Sequence, residues 1–154
     1  MMTKPRVLIL CTANSARSQI AEGLLRHDGH DRFDVASAGT QPSRVRPEAI
    51  AVRRELGIDI SGQRSKSVEE FIGQDFDDVI TVCDTARQSC PVFPGKTTLT
   101  HWSIEDPAAA AGDEQARLVV FRRVRDELRE RLRGFIAAHV RRNEADLRRG
   151  LDGV

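Results

Sequence analysis

The sequence predicts an α/β fold: one domain built on a four-stranded parallel sheet with helices on both faces. Three observations carry this expectation. Short apolar runs rich in β-branched residues alternate with helical patterns along the chain, as strand and crossover units do. The first of these runs passes through a loop of small residues directly into a helical pattern. No repeat, low-complexity tract or Pro/Gly-rich linker interrupts the 154 residues, a length suited to one core.

The elements follow in order. Val7-Leu8-Ile9-Leu10-Cys11 is the first strand, and Gln19 to Leu25 lies in the amphipathic helix after it. Phe33 to Gly39 reads as the second strand, followed by a loop with Pro42 and Pro47. Pro47 suits a first helical turn, and the helix it opens runs to about Leu56, turns Ile50 and Leu56 inward and ends at Gly57. Ile58-Asp59-Ile60 is a short extended piece, and Ser65 to Ile72 a brief helix capped by Ser65 or Ser67. Asp78 to Cys83 is the third strand. Pro91, Pro94 and Gly95 exclude a long helix between Asp84 and Gly95, and Thr97 to Trp102 is the fourth strand. A long helix runs from about Asp113 to Val140, its inner stripe Leu118, Phe121, Val124, Leu128, Leu132, Phe135 and His139 stepping by three and four. Its other face, Arg122, Arg125, Asp126, Arg129, Glu130 and Arg133, reads as solvated. The chain past Arg141 is highly charged, a frayed extension or a tail, so the domain is set at 1–141 and the tail at 142–154.

Composition narrows the function. With 24 basic and 23 acidic residues, no global field argues for nucleic acid or an acidic membrane surface. No Tyr and six Phe leave few platforms for stacking bases. The apolar run from Val7 to Cys11 is far too short for a signal peptide or a membrane span, so a cytoplasmic protein is expected. Three widely spaced cysteines fit no disulfide framework and point to thiol chemistry in a reducing compartment. A monomer is the default expectation.

The chemistry concentrates at Cys11-Thr12-Ala13-Asn14-Ser15-Ala16-Arg17-Ser18. Five small or short residues between Cys11 and Arg17 let backbone N–H groups converge, and the following helix N-terminus adds positive potential, which together make a cradle for a tetrahedral oxyanion. Arg17 adds a planar fork for two of its oxygens. In that field Cys11 is expected to be a thiolate, with Ser18 donating to its sulfur. Asn14 suits the middle of the loop because it tolerates left-handed backbone. In a parallel sheet, ligands bind at the carboxyl ends of strands near the topological switch point, where this loop and Cys83 both fall.

Cys83 and Cys90 add to the signal. If Cys11 and Cys83 end adjacent strands, their sulfurs meet after a modest loop movement. Seven residues of helix would separate Cys83 from Cys90 by roughly 10 Å, whereas a disulfide needs Cα atoms within about 7 Å. Pairing them therefore requires the segment to unwind, and Asp84-Thr85-Ala86-Arg87-Gln88-Ser89 has almost no apolar anchor against that. Asp106, in Asp106-Pro107 just beyond the fourth strand, is a candidate acid for protonating a leaving oxygen.

These motifs, with Ser37-Ala-Gly39, Ile58-Asp-Ile-Ser61, Cys90-Pro91 and His101-Trp102, occur in this order from about Arg6 to Phe135. The chain thereby resembles arsenate reductases of the thioredoxin-coupled type, which share the low-molecular-weight protein tyrosine phosphatase fold. The resemblance implies arsenate as substrate, thioredoxin as reductant, no cofactor and a three-thiol relay. Cys11 attacks arsenate while Arg17 and the loop Thr12 to Ser18 hold it and Asp106 assists loss of water. Cys83 then attacks Cys11 and releases arsenite, and Cys90 attacks Cys83 to give a pair that thioredoxin reduces.

Two departures matter. Ala13 stands where many relatives have Gly, so the loop there should avoid positive φ or bear strain. Some relatives hold potassium with residues resembling Asn14, Glu22, Ser37 and a later carboxylate; Lys66 stands at that last position, so no metal is expected. Two other readings compete. A phosphotyrosine phosphatase would use the same cradle, but Ala108 to Gly112 supplies no aromatic wall for a ring. A non-catalytic thiol sensor of arsenic or redox state would fit three cysteines, though no C-x2-C pair is present.

Overall fold

The computed structural model describes residues 4–152. Four strands, β1 (Arg6–Cys11), β2 (Asp34–Gly39), β3 (Asp78–Thr81) and β4 (Thr98–His101), form one parallel sheet in the order β2-β1-β3-β4. Four α-helices accompany them: α1 (Arg17–Asp28), α2 (Pro47–Arg54), α3 (Asp84–Gln88) and α4 (Glu114–Asp152). The predicted fold and strand count hold; β1 starts one residue earlier than expected, and the other three strands are trimmed by one or two residues at their ends. Strand β1 is central because Val7, Leu8, Ile9 and Leu10 are all inaccessible to solvent, as a strand covered on both faces requires. The chain leaves β1 for β2 on one side, and β3 pairs on the other. The carboxyl end of β1 is therefore the topological switch point.

Three expectations about the helices change. In α2 the buried positions are Ala49, Val52 and Arg53, while Ile50 and Leu56 are only partly covered. The turn after Ser67 is a 3-10 turn, Val68–Phe71, with Ser67 Oγ accepting from the Glu69 amide at 3.2 Å. Helix α4 continues through Val140 to Asp152.

The inner stripe of α4 is Phe121, Val124, Leu128, Leu132 and Ile136, and the expected Phe135 packs with Phe33 and His139 at its edge. The basic face expected to be solvated is partly an interhelical seam. Arg125 is buried and donates to Val52 O at 2.9 Å and Glu55 Oε1 at 2.7 Å. Arg122 pairs with Glu55, and Arg129 with Asp28 at the end of α1. Those arginines replace apolar contacts because α1 and α2 present carboxylates and carbonyls at the places they reach.

Candidate active site

The loop Thr12 to Ala16 joins β1 to α1, and its carbonyls face outward into the segment after β2. Thr40, Gln41, Ser43 and Arg46 donate their amides to the carbonyls of Cys11, Thr12, Ala13 and Ser15 at 2.8–3.2 Å. The loop's own N–H groups are not spent on those contacts, and α1 begins at Arg17 with its N-terminus toward the same place. Asn14 alone in the loop has positive φ, at 48°, so Ala13 avoids the left-handed region as expected. Gly39 is required beside it: a Cβ there would lie 2.9 Å from the Asn14 amide nitrogen and closer still to the Thr12 carbonyl.

Asn14 is fully buried and acts as the loop's pin. Its Nδ2 donates to Ser18 Oγ at 2.7 Å and Ser37 Oγ at 2.9 Å, and its Oδ1 accepts from Gln19 Nε2 and the Lys66 amide, both at 2.9 Å. Ser18 Oγ thus accepts from Asn14, and its hydroxyl hydrogen stays free to donate. Gln19, to which the sequence reading gave no role, also reaches the Asn14 and Arg64 carbonyls and accepts from Gln63. A polar residue at an inward position of a short helix was its only signal.

Arg17 carries its guanidinium to the cleft. Nη1 donates to the Ile104 carbonyl at 2.9 Å, Nη2 lies 4.0 Å from Asp106 Oδ2, and Nε is buried without a protein partner. A buried donor of that kind favours an anionic acceptor. Asp106 is half-exposed, caps the following 3-10 turn through the Ala108 amide at 3.0 Å and faces the same cleft. The cleft, about 390 Å³, is lined by Cys11, Thr12, Ala13, Ser15, Ala16, Arg17, Cys83, Asp84, Thr85 and Asp106. Among the described residues, no aromatic side chain lines it.

Cys83 caps α3, its Sγ accepting from the Ala86 amide at 3.4 Å and sharing a hydrogen bond with Thr12 Oγ1 at 3.2 Å. Cys11 and Cys83 titrate as a coupled pair, so the ionisation expected of Cys11 is shared with a second thiol. Hydrogen bonding with Cys83, then burial, holds the Cys11 thiol well above its ordinary value against the pull of Arg17. The same bond, with Thr12, Ala86 and Arg17, holds Cys83 down at about 5 despite its burial. The two thiols titrate together, holding one proton between them, so the charge belongs to the pair. Cys90 stands apart at the far end of the α3 segment, half-buried, its thiol pushed up by burial.

The position where some relatives hold a cation is occupied here by an ion pair. Lys66 Nζ lies 3.4 Å from Glu22 Oε1 and donates to the Arg64 carbonyl, while Ser37 Oγ donates to the same Glu22 oxygen at 2.7 Å. Glu22 Oε2 accepts from Arg26. With an ammonium there already, these residues do not fit a metal ion. Among the described residues, no group of three or more His, Cys, Asp or Glu side chains could hold one, and no helix is long and apolar enough to cross a membrane.

A parallel α/β domain with a cysteine at the switch point, an oxyanion loop and an arginine opening the next helix defines a phosphatase-like class of protein. The chain belongs to the low molecular weight phosphotyrosine protein phosphatase family, whose model matches residues 6–146. Within that class it is similar to an arsenate reductase of Halalkalibacterium halodurans, 42% identical over 134 residues that cover 87% of this chain and 96% of the relative. Among solved structures, an arsenate reductase in the phosphate binding state matches with TM-score 0.71 and 39% identity, covering 87% of this chain and 98% of that one. A Corynebacterium glutamicum thioredoxin-dependent arsenate reductase matches with TM-score 0.67 and 28% identity, covering 88% of this chain and 61% of that one.

Proposed function

We propose that this protein reduces arsenate to arsenite through Cys11, Cys83 and Cys90 in turn, with thioredoxin as the reductant. The observation that carries the reading is a second thiol, Cys83, on the wall of an oxyanion cleft that already contains Cys11. A phosphatase has no use for it. The aliphatic and polar lining of the cleft favours a small inorganic oxyanion over an aryl phosphate in the same way.

Arsenate enters the cleft onto the loop amides and the Arg17 guanidinium, whose unpartnered Nε gains an acceptor. With the proton of the pair on Cys83, Cys11 attacks arsenic as a thiolate; one oxygen leaves as water, with Asp106 relaying a proton to it. Cys83 loses that proton to solvent and attacks the Cys11 sulfur. The sulfur–arsenic bond electrons pass to arsenic, which leaves as arsenite, and Cys11 and Cys83 are joined as a disulfide. Cys90 next attacks Cys83, so that Cys11 leaves as a thiolate and the Cys83–Cys90 disulfide remains for thioredoxin to reduce. The relatives named arsenate reductase support the reaction, and the thioredoxin-dependent neighbour supports the reductant.

The test follows NADPH oxidation with arsenate, thioredoxin and thioredoxin reductase. The wild-type chain is expected to turn over, and Cys11→Ser, Cys83→Ser and Cys90→Ser each to abolish steady-state turnover. Turnover surviving Cys83→Ser, or hydrolysis of phosphate monoesters faster than reduction of arsenate, would count for a phosphatase instead.

A further inference from the structure

We infer that His101 and Asp84 form a latch holding the segment between the second and third thiols in its helical, reduced form, which makes His101 a positioning residue for the Cys83 to Cys90 exchange. The inference rests on the relay proposed above.

Asp84 is the first residue of α3 and follows Cys83 directly. Its Oδ1 accepts from His101 Nε2 at 2.9 Å and lies 3.5 Å from Ser103 Oγ. His101 is the last residue of β4, and its Nδ1 is 2.7 Å from Thr81 Oγ1 on β3. A neutral ring that donates from Nε2 to Asp84 accepts the Thr81 hydroxyl at Nδ1, so both ring nitrogens are engaged and its orientation is fixed. The His101 side chain is 17% exposed and that of Asp84 73%. The ring is therefore the anchored half and the carboxylate the half that swings with α3.

Little else ties α3 down. It spans five residues, of which only Ala86 is buried, and the Cys83 capping bond is lost once that sulfur enters a disulfide. In the exchange, the Cys90 thiolate attacks Cys83; the Cys83–Cys90 bond forms, the Cys11–Cys83 bond breaks and Cys11 departs as a thiolate, with no net electron transfer. The product needs Cα atoms within about 7 Å, so α3 unwinds from its first turn and draws Asp84 off the ring. A contact present in the dithiol and lost in the disulfide stabilises the dithiol and raises the reduction potential of the pair.

The experiment equilibrates the full chain with glutathione redox buffers and quantifies the Cys83–Cys90 disulfide by peptide mass. All proteins carry Cys11→Ser, so that this pair alone forms, and the set compares the parent with Asp84→Asn, His101→Gln and the double variant. Each single substitution is expected to favour the disulfide about threefold to fivefold, the scale of one partly exposed hydrogen bond. That corresponds to about 14–21 mV toward more negative potential. The double variant is expected to shift no further than the larger single one. Asp84 also favours a helix N-terminus by itself, so additive shifts would mean that it acts through the helix alone and would overturn the latch. Unchanged potentials overturn the latch and leave the relay standing. A Cys83–Cys90 disulfide absent from all four proteins overturns relay and latch together.

Discussion

At the residue scale, the site depends on a few positions where one atom decides the geometry. Gly39 sits at the end of β2 against the loop, where a methyl group would meet the Asn14 amide nitrogen at 2.9 Å and the Thr12 carbonyl. Both are backbone, so relief must come from the cradle itself. Gly39→Ala is expected to cost about 1–3 kcal/mol of stability and to weaken arsenate binding, read by urea denaturation and by KM. Lys66 decides a second question. Its ammonium beside Glu22 supplies the positive charge that a cation would otherwise bring. Activity is expected to be the same in potassium and sodium at equal ionic strength; strong stimulation by potassium would contradict that role. Cys11, Arg17 and Asp106 were legible in the sequence because spacing and residue type restrict their chemistry. The proton shared with Cys83 was not, since it arises from the approach of residues 72 positions apart.

At the element scale, β1 and its loop were readable because an uninterrupted apolar run and a string of small residues have few alternative folds. Helix α4 was readable in period and less so in surface. Its arginines resemble solvated ones until α1 and α2 are placed beside them, and then Arg125 and Arg129 prove to be interhelical contacts. The Asp28–Arg129 contact gives a pH prediction. Burial pulls Asp28 upward, but hydrogen bonds from Arg129 and His27 outweigh it and leave the carboxyl below its ordinary value. A depressed folded value means the unfolded chain binds the proton more readily, so this stabilisation is present above about pH 5 and is lost as the pH falls through the folded value, below about 3.9. Asp28→Asn is therefore expected to destabilise at pH 7, with the difference from wild type shrinking toward pH 3 in urea denaturation curves. A difference that stays constant with pH would remove the ion pair from the account. The 3-10 turn after Ser67 and the five-residue α3 lie beyond what periodicity resolves, because neither is long enough to complete a pattern.

At the scale of the whole molecule, the switch point gathers what is distant in the chain. Strand order β2-β1-β3-β4 brings the ends of β1 and β3 side by side, and with them Cys11 and Cys83. Asp106 and Ile104 arrive from beyond β4, so Arg17 is met by a segment that lies about ninety residues further along the sequence. The parallel alternation of strands and helices made this convergence predictable in outline, while the outward wiring of the loop carbonyls depends on tertiary contacts of residues 40–46. The most direct measurement is a single turnover with arsenate and no external reductant, with arsenite counted and disulfides mapped by mass. The wild-type chain is expected to release one arsenite and end with Cys83 joined to Cys90, Cys90→Ser to release one and end with Cys11 joined to Cys83, and Cys83→Ser to release none. Arsenite from Cys83→Ser in the wild-type amount would contradict the relay at its second thiol.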